Sequence, residues 1–156
     1  MLHATGDIWK WLDDGCHLVI PTNIGWRMDG SNVMGAGLAK QAATRYPKLD
    51  KWYGMICSAC QHITPVCLAD VPDAPLIMFP VKPLNREAPN LSWKSGANVD
   101  LIYKSTKQLA SFRLIRRIAL PMVGCGNGGL DPELVRPILA ANLDDRFTLV
   151  ELPPKP

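Results

Sequence analysis

Arg117-Ile118-Ala119-Leu120-Pro121-Met122-Val123-Gly124-Cys125-Gly126-Asn127-Gly128-Gly129-Leu130-Asp131-Pro132-Glu133 passes from an apolar run through a glycine loop into a helix start. The short apolar, partly β-branched run suits a strand covered on both faces. Asp131 is a good N-cap and Pro132 an ideal first helical residue, and that spacing accounts for Asp131 fully. The four glycines between them allow positive φ and let backbone N–H groups approach a ligand with no Cβ in the way. An earlier stretch has the same form. His17-Leu18-Val19-Ile20 reads as a strand closed by Pro21, Gly25, Gly30, Gly35 and Gly37 follow, and a helix runs over residues 35–45 with Leu38, Ala39, Ala42 and Ala43 as its stripe. In an open α/β sheet such loops line the crevice beyond the carboxyl ends of the strands, where ligands bind. Successive N–H groups at a helix start form an anion-binding nest, and two nests side by side suit a pyrophosphate.

Outward from these loops the pattern continues as strands alternating with helices. Residues 65–69, 76–79 and 147–152 read as strands and 53–60 as a helix. A convincing helix spans 98–112, with Leu101, Ile102, Leu109 and Phe112 inside and Lys104 and Lys107 toward water. Six of the fourteen prolines lie from Pro65 to Pro89, which keeps the strands there short and the next segment irregular. The alternation calls for a mostly parallel sheet between helix layers.

The 156 residues fit one domain, 1–156, and 47% hydrophobic content is enough for a real core. A formal charge of +3 is compatible with an anionic ligand but too small to demand nucleic acid. No secretory signal and no membrane-length apolar run is visible, and five cysteines, an odd number, read as reduced thiols. A cytoplasmic chain without membrane contact is therefore expected, and a monomer. His3, His17 and His62 are isolated. Cys57 and Cys60 form C-x-x-C with no second pair at zinc spacing, although Cys67 is placed to approach them in space. No metal and no cofactor is expected.

The loop from Gly124 to Gly129 also fits G-x-G-x-x-G, with Glu151 about twenty residues beyond, as in a dinucleotide-binding fingerprint. Its position opposes a nicotinamide enzyme. The fingerprint normally opens a βαβαβ unit, and here only one helix and one strand remain after it.

Taken together, Thr5-Gly6-Asp7-Ile8, Asn23-Ile24-Gly25, Asp29-Gly30-Ser31-Asn32-Val33-Met34-Gly35-Ala36-Gly37-Leu38-Ala39 and the string from Leu120 to Asp131 resemble the macrodomain, the ADP-ribose-binding module. The order agrees over nearly the whole chain. The V-M-G-x-G-L-A and G-C-G-N-G-G-L-D strings are similar to the branch that contains the terminal ADP-ribose protein glycohydrolase and the DNA ADP-ribosyl glycohydrolase antitoxin. The resemblance implies an α/β three-layer α/β/α sandwich around a mixed, mostly parallel sheet of about six strands.

It also implies roles. Asp7 would accept from the adenine amino group beside Ile8; on spacing alone it reads equally as a cap after a strand. Asn23, Asn32, Val33, Met34, Gly35, Gly37 and Leu38 would surround the distal ribose and one phosphate, although Asn32 by itself is a turn residue. Val123, Gly124, Cys125, Gly126, Asn127, Gly128, Gly129 and Leu130 would hold the other phosphate. Lys82 ends a buried strand, where desolvation disfavours its charged form and exposes a nucleophilic amine. In the branch this lysine is tied to cleavage at the anomeric carbon of the distal ribose; a lysine countering phosphates or reaching for water is the plainer reading.

One departure decides between relatives. The protein-directed enzyme carries a catalytic aspartate where this chain has Asn127, and an amide cannot act as general base. The DNA-directed relative has Asn in this string. Arg86 and Lys94, with Trp93 between them, are suited to a phosphodiester and a stacked base, or form a plain basic surface loop. The expectation is hydrolysis of an ADP-ribosyl linkage, first on a DNA base. The alternatives are hydrolysis on protein, a non-catalytic ADP-ribose reader, and a phosphatase of ADP-ribose 1″-phosphate.

Overall fold

A computed structural model describes residues 1–60 and 67–156. Along the chain lie β1 (Leu2–Thr5), α1 (Trp9–Asp13), β2 (His17–Asn23), α2 (Gly37–Arg45), α3 (Leu49–Cys60), β3 (Ala69–Asp70) and β4 (Leu76–Lys82). A 3₁₀ helix (Pro89–Lys94), α4 (Val99–Ala110), β5 (Ile118–Leu120), α5 (Pro132–Asn142) and β6 (Phe147–Glu151) complete it. The six strands form one sheet in the order β1-β6-β5-β2-β4-β3. Every neighbour pair is parallel except β3 with β4.

The strand residues alternate between two cores, as a pleated strand covered on both faces requires. Val19, Ile77, Phe79, Ile118, Leu120 and Leu149 pack with Leu101, Ile102 and Leu109 of α4 and Val135 and Leu139 of α5. Leu18, Ile20, Leu76, Met78, Ala119 and Val150 pack with Trp9 of α1, Ala42 of α2 and Leu49, Tyr53 and Cys57 of α3. This is a three-layer α/β/α sandwich.

The elements differ from the sequence expectations in five ways. β2 does not stop at Pro21 but runs to Asn23; β5 pairs only with His17 and Leu18, so the missing N–H of Pro21 removes no bond from that ladder. β5 is three residues long and ends before Pro121. In the strand expected over 65–69, residues 65 and 66 lie outside the described residues, as does His62, and β3 begins only at Ala69. The segment expected to be irregular contains the 3₁₀ helix. β1 and α1 are added at the start of the chain.

Helix ends follow the local chemistry. Asp131 accepts from Glu133 N at 2.9 Å, and Asn98 accepts from Leu101 N at 2.9 Å. Asn98→Ala is expected to cost about 1 kcal/mol, read as a lower urea midpoint at unchanged slope. An unchanged midpoint would show that the cap contributes nothing.

Candidate functional site

β2, β4, β5 and β6 end at the same edge of the sheet, and a cavity of about 910 Å³ opens there. Its floor is built from strand tips, with Thr22 and Asn23 from β2, Val81 and Lys82 from β4, and Pro121 and Met122 just past β5. The two glycine segments form its walls, through Val33, Gly35, Gly37 and Leu38 on one side and Gly124, Gly126, Asn127 and Gly128 on the other. They lie close together: a Cβ on Gly37 would stand 3.2 Å from Asn127 Nδ2.

The first wall starts from Asn23. Its Nδ2 donates to Val33 O at 2.9 Å, and its Oδ1 accepts from Gly25 N at 3.0 Å. One amide thus ties together both ends of the excursion between β2 and α2. Asn32 does not face the cavity. It is 1% exposed, and its Nδ2 lies within bonding distance of Asn23 O, Asn23 Oδ1 and Gly25 O. α2 follows with Gly37 at φ +58°, and the first N–H groups of a helix have no partner within it. The wall therefore offers donors to an anion.

The second wall is a closed glycine turn. Leu130 N donates to Gly124 O and Gly129 N to Gly126 O, both at 3.1 Å, while Gly128 O accepts from Ala97 N at 2.9 Å. Those bonds fix the turn without using the N–H groups of Gly126, Asn127 or Gly128. Gly124 requires a glycine, since φ is +76° and a Cβ would stand 2.6 Å from Ile102 Cδ1. Cys125 lies outside the cavity; its Sγ is 3.5 Å from Val123 O, and burial pushes its thiol up.

Lys82 ends β4 beside Asn23 on the cavity floor, half-buried, and burial lowers its pKa from the ordinary lysine value. Its Nζ donates to Trp93 O at 2.7 Å. The 3₁₀ helix that presents this carbonyl is pinned from below. Ser92 is fully buried; its Oγ accepts from Asn85 N and donates to Pro89 O, each at 2.9 Å. Gly25 admits this contact, because a Cβ there would meet Pro89 O at 2.0 Å. Trp93 and Lys94 also line the cavity, so among the described residues its charged lining consists of two lysines with no carboxylate.

Other residues singled out in the sequence lie elsewhere. Asp7 is exposed and accepts from Trp9 N at 3.1 Å in the turn that leads into α1, and Ile8 belongs to the core. Met34 and Val123 are buried core residues, and Gly129 and Leu130 close the turn behind the cavity. Arg86 lines a second cavity of about 300 Å³ with Cys57, Cys67 and Lys104. Glu151 is held by Arg136 through two bonds at 3.1 and 3.2 Å, so the ribose-binding acid of a nicotinamide fingerprint is engaged in an ion pair. Cys67 does approach Cys57 and Cys60: contact with Cys67, then burial, raises the Cys57 thiol. Among the described residues no group of three His, Cys, Asp or Glu side chains is placed to hold a metal, and no helix is long and apolar enough to cross a membrane.

The three-layer sandwich around a mixed, mostly parallel six-stranded sheet is the fold of solved macrodomains. The chain is similar to the macrodomain of Mycobacterium tuberculosis DarG, with 26% identity over 99% of this chain and 97% of that one and a TM-score of 0.68. The macrodomain of Thermus aquaticus DarG has 24% identity over 98% and 97% of the two chains, with a TM-score of 0.69. Thermosipho africanus DarTG, solved in complex with ADP-ribose, has 20% identity over 87% of this chain and 37% of that chain, with a TM-score of 0.66. These likenesses support the DarG branch of macrodomains. No protein-family model and no curated protein matches the sequence.

Proposed function

We propose that this macrodomain binds ADP-ribose between its glycine walls and hydrolyses an ADP-ribosyl linkage to a DNA base. The observation that supports this best is the cavity itself, which offers backbone donors on two sides, two lysines and no carboxylate to repel a pyrophosphate. The amides near Gly37 and Leu38 take one phosphate and those of Gly126 to Gly128 the other. Asn127 closes over the distal ribose. Asp7 stands outside the cavity lining, its Oδ1 used by Trp9 N; its second oxygen takes the adenine amino group where the ligand extends past that lining. T. africanus DarTG, solved with ADP-ribose, supports the ligand.

Lys82 acts at the anomeric carbon. Its free amine attacks C1″ as the C1″–N bond to the base breaks. The electron pair goes to the base nitrogen, which takes up the proton that the newly bonded amine gives up. Water then cleaves the C1″–Lys82 nitrogen bond, returning the amine and releasing ADP-ribose. Asn127 cannot serve as general base, which favours a nucleobase leaving group over the protein linkage. Release of ADP-ribose from ADP-ribosylated DNA, against ADP-ribosylated protein as the control, tests the reading. Release from neither would overturn it.

Burial lowers the Lys82 pKa, so the free amine becomes populated at lower pH than for an ordinary lysine. Turnover is expected to climb as pH approaches that lowered value and to level off above it. A rate that falls over this limb would contradict an amine nucleophile.

One observation favours a second reading. With no carboxylate lining the cavity, nothing there activates water directly, as suits a module that only binds ADP-ribose. Tight ADP-ribose binding with no release from DNA, protein or 1″-phosphate substrates would select it.

A further inference from the structure

Three cysteines meet on the α3 side of the sheet, apart from the glycine walls. Cys57 and Cys60 stand one turn apart on α3, and both thiols hydrogen-bond to the thiol of Cys67, just ahead of β3. The bond from Cys57 is the main cause of a lowered Cys67 thiol; burial opposes it, and the bond from Cys60 adds to it. Cys57 and Cys67 are buried from bulk solvent, yet both line the second cavity, of about 300 Å³, and Cys60 does not. The cluster is also wired to the floor of the large cavity. Tyr53, fully buried one turn before Cys57, donates from its hydroxyl to Cys67 O at 2.9 Å and accepts from Thr22 Oγ1 at 3.1 Å. Thr22 belongs to that floor. Ile24 and Pro83, which line the second cavity, directly follow Asn23 and Lys82 in the chain.

We propose that Cys67 and Cys57 are a peroxide-reactive thiol pair whose disulfide disturbs the floor of the large cavity through Tyr53 and Thr22. A small hydroperoxide enters the second cavity, and the Cys67 sulfur bonds to its terminal oxygen as the O–O bond breaks. The alcohol, or water from hydrogen peroxide, leaves with the Cys67 thiol proton, and Cys67 is left as a sulfenic acid. The Cys57 sulfur then attacks the Cys67 sulfur, the S–O bond breaks, and the hydroxide departs as water with the Cys57 proton. Two thiols are oxidised to one disulfide and one peroxide is reduced. Two features select this pair and this oxidant. Side chains already in contact point toward each other, as a disulfide requires. With bulk solvent shut out, a cavity of this size suits a peroxide rather than a peptide-sized disulfide. The thiol chemistry is independent of the proposed function; its effect on the floor rests on that reading.

The test exposes the reduced full chain to hydrogen peroxide, quenches it in acid and unfolds it. Free thiols are blocked with one alkylating reagent, and those released by reduction are labelled with a second. Fragmentation mass spectrometry should find the second label on Cys57 and Cys67 ahead of Cys16, Cys60 and Cys125. With Cys57 and Cys60 both replaced by alanine, dimedone should trap Cys67 as its sulfenic acid, whereas Cys67→Ala should leave Cys57 reduced. If these variants do not fold, the labelling of the parent protein decides. Oxidation should weaken ADP-ribose binding by about fivefold, the worth of one hydrogen bond. Dithiothreitol should restore it, and Tyr53→Phe should remove most of the difference between oxidised and reduced protein. Cys57 and Cys67 still reduced after Cys16 or Cys125 has reacted, or a Cys60–Cys67 bond in their place, overturns the thiol pair. A Cys57–Cys67 disulfide that leaves ADP-ribose affinity unchanged overturns its link to the floor. Reduced protein that binds no ADP-ribose brings down the proposed function and that link, while the labelling pattern still judges the pair.

Discussion

Lys82→Ala is expected to lower ADP-ribose release by about 10²–10⁴-fold while leaving ADP-ribose affinity within a few-fold. The asymmetry follows from where the side chain stands. Lys82 ends β4 on the cavity floor, and its amine is tied to Trp93 O rather than to either glycine wall. On the proposed reading, removing it takes away the group that acts at the anomeric carbon and leaves the backbone donors of both walls in place. Lys82→Arg separates nucleophile from countercharge: an arginine keeps the charge but not a free amine, so it too should be inactive. If Lys82→Ala turns over like the parent, Lys82 has no part in the chemistry. If Lys82→Arg is active, the lysine acts as a cation alone. Single-turnover rates with calorimetric Kd values separate these outcomes.

The second large effect is expected at Gly128. A Cβ there would meet Gly124 O at 2.4 Å and the Ala97 Cβ at 2.6 Å, both parts of the packed turn. Gly128→Ala must open that turn, break the bond from Ala97 N to Gly128 O and displace the amides on one side of the cavity. Two misplaced charge-assisted hydrogen bonds, at about 1.5–3 kcal/mol each, give an expected loss in ADP-ribose affinity of roughly 10²-fold or more. Gly126→Ala is the folding control: a Cβ there meets nothing within 4 Å, and stability should stay within about 0.5 kcal/mol. Unchanged affinity in Gly128→Ala would show that the second wall does not bind phosphate.

What could be read from the chain and what could not have different physical origins. The glycine loops and the strands before them were visible because period, β-branching and caps are local signals. The Asp131-Pro132 helix start is an instance. β1 carries little strand signal of its own: three of its four residues are exposed at the sheet edge and no alternation marks it. Proline chemistry led to the wrong end for β2, because whether a missing N–H matters depends on how far the neighbouring strand reaches. The 3₁₀ helix is held by Ser92 against Gly25, a contact between segments far apart in sequence.

The site divides in the same way. Ten of the positions expected to meet the ligand, Asn23, Val33, Gly35, Gly37, Leu38, Lys82, Gly124, Gly126, Asn127 and Gly128, line one cavity. Asn32 was singled out by its string, but its amide faces inward to brace the loop that Asn23 closes. Trp93 and Lys94 stand near Arg86 in sequence, yet only the first two line this cavity. The distinction comes from the fold of the 83–94 segment, which no spacing reveals. The sequence assigns no role to Thr22, Pro121 or Met122; they enter the lining because strand tips form the floor.

The most direct test of paired backbone walls gripping a pyrophosphate is an amide chemical-shift titration with free ADP-ribose. Saturable shifts concentrated at residues 35–38 and 124–128, with the strand ends on the far side of the sheet unmoved, are the predicted result. A titration that leaves both segments unperturbed, or that moves only one of them, would contradict it.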